Sequence, residues 1–272
     1  MKDVILKTNA EIEIIRANAQ ILGKTHAEVA KWIEPGVKTA KLNQIAEEFI
    51  RDHQAKPSFK GYSLKESPPY PAALCISVNE QVVHGIPGDY ELKEGDIVSI
   101  DCGVFKDGFH SDSAYTYAVG EVKPEVQKLL DVTKAALYKG IEQVRFGARV
   151  GDISYAIQKY VESFGFSVIR ELAGHGVGKH LHEKPDVPNH GKRGKGVMLR
   201  NGAVIAIEPM VSMGKKEVVQ EEDAWTIRTV DRTPAAHFEH TVAVVSGKAT
   251  ILTTFEYIEE VLAKKYGKAG VH

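Results

Sequence analysis

A mixed α/β (α+β) fold, built from two copies of a helix-helix-antiparallel sheet unit within a single domain spanning 1-272, is predicted by three observations. The stretch from Asp96 to Asp112, DIVSIDCGVFKDGFHSD, is an alternating apolar run that meets Asp107-Gly108, the dipeptide favoured when both central turn positions need positive φ. Two amphipathic helical runs precede it. Finally, at a shift of 111 residues Gly147 falls on Gly36, Ile153 on Leu42, Ile157 on Ala46, Tyr160 on Phe49 and Val161 on Ile50, with the long helices before them in step. The pseudo-symmetric halves run over about 8-120 and 121-250, each with acidic residues on the strands that follow its helices.

Taken in order, Thr8-Asn9-Ala10-Glu11 has capping-box spacing, and Ile12, Ile15, Ala19 and Leu22 share a helical face until Pro35-Gly36. A second helix is expected from Thr39 to His53, with Leu42, Ile45, Ala46 and Phe49 as its apolar stripe against a sheet. Lys56 to Pro71 has loop composition and carries Phe59, Tyr62 and Tyr70, aromatics that either cover a core edge or build a pocket rim. Cys75–Val78 and Gln81–Val83 read as strands, and the turn His84-Gly85-Ile86-Pro87-Gly88 places His84 at a strand end.

With Asp107-Gly108 as the hairpin loop, Lys106 faces Phe109, Gly103 faces Asp112, and Asp101 faces Ala114. Side chains alternate with a period of two, so Asp101 and Asp112 are diagonal neighbours on one face, while Val98, Ile100, Cys102 and Val104 form a core face. Helices follow from Lys123-Pro124-Glu125 to about Arg145 and from Asp152 to Ser163. Val168-Ile169-Arg170 leads into Gly174-His175-Gly176-Val177-Gly178, where flanking glycines would let the backbone approach a ligand closely, and then into His180-Leu181-His182-Glu183. Val204 to Glu208 is an apolar strand ended by Pro209, and Trp225–Arg228 and His237–Val245 read as strands.

Composition narrows the class. With 43% hydrophobic and 26% charged residues the 272-residue chain is ordinary globular material, and a formal net charge of -1 gives no overall attraction for DNA or a membrane. Lys192, Arg193 and Lys195 form a local basic cluster. The opening MKDVILKTNA has no long apolar stretch, which argues against secretion. Cys75 and Cys102 are too few for a disulfide framework, and a reducing, cytoplasmic location is expected.

Paired carboxylates such as Asp101 and Asp112 need a shared proton, a cation or a bound metal; otherwise they are inward charges that protect an exposed hairpin from edge pairing. The candidate cluster adds His175, Glu208 and Glu239. Its four carboxylates match the charge of two divalent cations, and oxygen donors with a single imidazole suit Co, Mn, Fe(II) or Zn. Such a pair polarises a carbonyl and clamps a tetrahedral intermediate, which is hydrolytic chemistry.

Asp101 in SIDCG, Asp112 in GFHSD, His175 in AGHGVG, Glu208 in AIEPM and Glu239 in FEHT resemble the five metal ligands of type I methionine aminopeptidases, in order and spacing. SVNEQVVHGIP, with His84, and HLHEKP, with His182, extend the resemblance to nearly the whole chain. It implies the pita-bread fold with pseudo-twofold symmetry around a central two-metal site. It also implies removal of the initiator methionine from nascent polypeptides when the second residue is small (Gly, Ala, Ser, Cys, Thr, Pro, Val), by hydrolysis through a metal-bridging hydroxide.

By the same resemblance Glu208 serves as general acid-base, His84 contacts the scissile amide, and His182 binds the substrate backbone and developing oxyanion. Tyr62, Tyr70, Cys75 and Trp225 receive the methionine side chain; Cys75 reads equally well as a buried structural thiol. The chain departs from the family in a longer segment between Tyr62 and Tyr70, SLKESPP, and in Leu181, where an aromatic is common. His110, His180, His237 and His240 are expected to face solvent or support the site, and His26, His53, His190 and His272 to have no part in it. A monomer is expected, and any ribosome contact would use the catalytic domain surface. A proline-directed peptidase is disfavoured by the short stretch before the first helix, a silent binding module by the full ligand set, and a two-metal phosphoesterase by the scarcity of basic residues beside it.

Overall fold

In the computed structural model, residues 4–63 and 67–267 are described; the middle of the SLKESPP segment, residues 64–66, and His272 lie outside them. Helix α1 (Asn9–Ala30) starts at the expected box: the Thr8 hydroxyl accepts from the Glu11 amide, and the Glu11 carboxylate accepts from the Thr8 amide at 2.8 Å. After α2 (Thr39–Asp52) come β1 (Lys56–Pro57), β2 (Leu74–Val78), β3 (Gln81–Val83) and the hairpin β4 (Ile97–Lys106) and β5 (Phe109–Ala118). The hairpin keeps the expected register, with Asp101 opposite Ala114 and Gly103 opposite Asp112. Its turn has φ 50° at Asp107 and 82° at Gly108, the handedness that its sequence favours.

The second half repeats the plan with α3 (Pro124–Ile141) and α4 (Val150–Ser163), then β6 (Ser167–Val168), β7 (Ala173–Gly176), β8 (Glu183–Pro188), β9 (Val204–Ile207), β10 (Met210–Ser212), β11 (Val218–Gln220), β12 (Ile227–Thr229), β13 (Ala235–His237), β14 (His240–Val245) and β15 (Lys248–Ile251). Helix α5 (Glu256–Tyr266) follows β15 and packs on α1. The echo reaches individual hydrogen bonds. Gly36 and Gly147 both adopt positive φ and donate their amides to Leu92 and Leu199 carbonyls, at 2.7 and 3.0 Å.

Two sheets carry the architecture. In the first, β4 lies between β2 and β5 and also pairs β1; the second has the order β15-β14-β9-β7-β8. They meet along β5 and β14, where Thr241 Oγ1 donates to the Asp112 carbonyl at 2.7 Å, Ser113 Oγ to the Glu239 carbonyl at 2.8 Å, and the Glu239 amide to the Ala114 carbonyl at 2.9 Å. Val98, Ile100, Cys102 and Val104 are fully buried in one core with Leu42, Ala46 and Ile50 of α2. The acid-bearing hairpin is therefore interior, and the reading of an exposed edge does not hold.

Three local expectations are corrected. Helix α3 ends at Ile141 rather than near Arg145, because Arg145 bridges to Lys248 and Phe146 donates to the Gly247 carbonyl, drawing the chain into the sheet. Trp225 lies outside β12, in a turn where the Asp223 carboxylate accepts from the Trp225 and Thr226 amides. His237–Val245 is two strands in different sheets, broken at Phe238-Glu239 where the chain crosses between them.

Candidate metal centre

Strand geometry brings the acids together from both halves. Asp101 and Asp112 project from the hairpin's inner face, each close enough to shift the other's titration. Glu208 stands at the end of β9, held extended by Pro209 and anchored through its carbonyl to Asn189 Nδ2 at 2.9 Å. Glu239 sits at the crossing between β13 and β14. His175, on β7, donates Nδ1–H to the Gly176 carbonyl at 2.9 Å, leaving Nε2 as an acceptor 3.7 Å from Asp112 Oδ2 and 3.6 Å from Glu208 Oε1.

Electrostatics mark this cluster as incomplete by itself. Burial pushes the Asp101 carboxyl up to about 7, opposed by its bonds to Asp112 and to the Cys102 backbone. Asp112, Glu208 and Glu239 are raised well above the ordinary carboxyl range, first by burial and then by one another's charge. Burial lowers His175 to about 4, so its imidazole is neutral near pH 7. Asp101 Oδ1, Asp112 Oδ1 and Glu239 Oε1 are buried without a hydrogen-bond donor, and one donor atom each of Asp112, His175 and Glu239 lies within 4.8 Å of the others. A divalent cation fits such a set of orphaned oxygens and a free imidazole nitrogen.

The glycines beside His175 have a different purpose from the one expected. A Cβ on Gly174 would lie 2.4 Å from the Ala206 carbonyl oxygen, and one on Gly176 would lie 2.5 Å from that of Lys184. They admit the neighbouring strands β9 and β8, and thereby hold His175 against Glu208.

The acids open onto a cavity of about 310 Å³ whose other wall includes Phe59, Tyr62, Tyr70, Cys75, Leu181 and Trp225. Tyr70 and Trp225 meet edge to face at 5.2 Å. Their polar ends are engaged elsewhere, Tyr70 OH donating to the Gly85 carbonyl at 2.8 Å and Trp225 Nε1 to that of Pro68 at 2.9 Å, so apolar ring surface faces the cavity. Tyr62 and Tyr70 are held together: Gly61 N–H bonds the Tyr70 carbonyl and Tyr70 N–H bonds that of Tyr62, both at 2.8 Å.

Two histidines flank the opening. His84 follows β3 with φ 60°, a left-handed conformation sparsely populated by non-glycine residues. Burial lowers its pKa to about 4. The next residue must be glycine, since a Cβ on Gly85 would lie 2.2 Å from the Ile76 carbonyl oxygen. Gly85→Ala is expected to destabilise the fold by about 3 kcal/mol in urea denaturation. A loss below about 0.5 kcal/mol would show that the turn yields without cost. His182, at the cavity rim, has Nδ1 2.6 Å from Tyr62 OH and its ring centroid 4.2 Å from that of His175.

Of the four histidines expected to face solvent or support the site, His180 is exposed; His110 is half-buried, with Nδ1 2.9 Å from Ser58 Oγ. His240 is buried with Nδ1 2.7 Å from Thr253 Oγ1, and His237, 1% exposed, lies behind the acids with Nε2 3.7 Å from Glu208 Oε2 and 4.0 Å from Glu239 Oε2. The signal for His237 was its offset of two from Glu239, but the break at Phe238 obscured what the residue faces. Leu172 and Met210, which also line the cavity, carried no sequence signal.

Residues 13–246 match the model of metallopeptidase family M24. The chain belongs to this family. It is 50% identical to a methionine aminopeptidase of Clostridium perfringens over 92% of this chain and 98% of that protein. The crystal structure of methionine aminopeptidase from Thermotoga maritima superposes with a TM-score of 0.89 at 45% identity, over 93% of this chain and 100% of that one. A prolidase from Pyrococcus furiosus shares the fold with a TM-score of 0.75 at 22% identity, this chain covering 66% of its length. The M24 chain is thus a metalloaminopeptidase with the pita-bread fold, and divalent metal is part of its chemistry. No helix among the described residues is long and apolar enough to cross a membrane.

Proposed function

We propose that the enzyme removes N-terminal methionine from nascent polypeptides when the second residue is small, in the cytoplasm and as a monomer. The observation that supports this most is the junction of the buried acid cluster with an apolar, aromatic-walled cavity. Asp101, Asp112, His175, Glu208 and Glu239 would hold two divalent cations drawn from Co, Mn, Fe(II) or Zn. Bound there, they supply Lewis acidity to the scissile carbonyl and a water acidic enough to attack near neutral pH.

The remaining steps belong to side chains. Glu208, beside His175 and at the cavity wall, takes the proton of the attacking water and returns it to the leaving amine. His84, in the cavity wall, would contact the nitrogen of the scissile amide. The Tyr62 hydroxyl occupies Nδ1 of His182 and leaves Nε2–H to donate to the carbonyl oxygen as charge develops there. Tyr62, Tyr70, Cys75 and Trp225 enclose the methionine side chain, whose thioether gains from contact with aromatic edges.

Metal-stripped protein titrated with Mn, Co or Fe(II) is expected to release methionine from Met-Ala-Ser and Met-Pro peptides with kcat/KM about 100-fold above that for Met-Leu-Ser, and to leave Gly-Pro intact. Cleavage of Gly-Pro alone would establish the proline-directed alternative, and no cleavage with any metal would make the chain a binding module.

A further inference from the structure

Lys7 and Glu183 are 176 residues apart, yet Lys7 Nζ lies 2.5 Å from Glu183 Oε2 with side chains only 2% and 1% exposed. A buried ion pair is rarely the most stable filling for its volume, because desolvation offsets most of its attraction. Its surroundings show what it organises. Glu183 Oε1 accepts from the His180 amide at 3.1 Å, and Gly178 donates to the His180 carbonyl at 3.1 Å, closing a tight turn over the pair. Gly178 leaves the necessary room, since a Cβ there would stand 2.4 Å from Lys7 Cε and 2.6 Å from Glu183 Oε1. Lys7 is itself held from the other side: its amide donates to the Gly202 carbonyl at 2.7 Å and its ammonium to that of Ile5 at 2.9 Å. The turn presents Leu181 and His182 to the cavity, and His182 is the one directly joined to Glu183.

We infer that Lys7 and Glu183 are positioning residues for His182, the N-terminal segment acting as a strap that fixes the turn carrying this imidazole. The inference rests on the reading of His182 as the group that meets the substrate carbonyl. Lys7 orients the carboxylate, the carboxylate fixes the His180 amide, and the turn then delivers the His182 ring to Tyr62 OH in one orientation. Because His182 acts on charge that develops during the reaction, loosening the turn lowers kcat and spares KM.

The test uses two paired replacements in metal-loaded full-length protein. Lys7→Met/Glu183→Gln keeps volume and the acceptor for His180 while removing both charges, so the fold is preserved; Lys7→Met/Glu183→Leu removes the acceptor too. Expected are kcat losses of about 10-fold and about 100-fold on Met-Ala-Ser, with KM within about 3-fold and bound metal unchanged. The 15N resonances of the His182 ring should change from one fixed tautomer towards an averaged pair. Wild-type kcat with wild-type ring resonances in both variants overturns the inference. A kcat loss that follows lost metal or a lowered Tm, with the ring signature intact, also overturns it by making the pair purely structural. If wild-type protein releases no methionine, the proposed function fails, while the ring resonances still decide the positioning role.

Discussion

Glu208→Gln is expected to lower kcat on Met-Ala-Ser by at least about 10³-fold while leaving the fold intact, since a positioned general acid-base contributes about 10²- to 10⁴-fold. Glutamine has the shape of glutamate, and the Asn189 anchor is to the Glu208 main chain, so the substitution spares the geometry of β9. On the proposed reading it removes the group that would accept and return a proton, and it would also weaken one metal donor. Kinetics across a metal titration, with bound metal measured in parallel, separate these effects: recovery only at high metal would leave Glu208 a ligand alone, and turnover within tenfold of wild type at every metal concentration, with wild-type metal content, would remove it from both roles. The metal-free variant carries an opposite signature. Burial and the charges of Asp101 and Asp112 make a Glu208 carboxylate costly in the fold, so metal-free Glu208→Gln should melt higher than metal-free wild type.

The parts of the fold legible in the sequence are those fixed by neighbours along the chain. The Thr8–Glu11 box, Pro124 at the first turn of α3 and Asp107-Gly108 in the hairpin are local devices, and they set element boundaries and register without tertiary help. The break at Phe238-Glu239, the early end of α3 and the short strands β6, β10 and β13 depend on partners far away in sequence. Neither periodicity nor propensity records them. The candidate site divides in the same way. Asp101 and Asp112 follow from hairpin register, whereas the approach of His237 to Glu208, the closure of the Tyr62–Tyr70 loop and the contribution of Leu172 and Met210 follow from the packing of separate segments. The glycines beside His175 show the limit of residue type alone: it required a close approach and left open to what.

Metal removal is expected to lower Tm by about 10 °C at pH 8, from a stabilisation of about 4 kcal/mol when metal stands near a thousand times its Kd. The deficit should depend on pH. In the metal-free fold Asp101 is held up to about 7 against an ordinary 3.8, and Asp112, Glu208 and Glu239 are raised as well. An acid raised in the folded state binds more protons folded than unfolded between its two pKa values, so its stabilising effect is full below about pH 4 and is lost as pH climbs through about 7. Bound cations reverse this by favouring the ionised carboxylates, and protons in turn compete with the cations at low pH. The gap in Tm between metal-loaded and chelator-treated protein should therefore be small at pH 5 and widest at pH 8. Measuring that gap at each pH cancels the carboxylates outside the cluster, such as Asp152 and Asp231, whose backbone bonds lower their pKa and which titrate alike in both forms. Equal Tm with and without chelator at both pH values would mean that the four acids settle their charge by sharing protons, and that no metal occupies them in the folded enzyme.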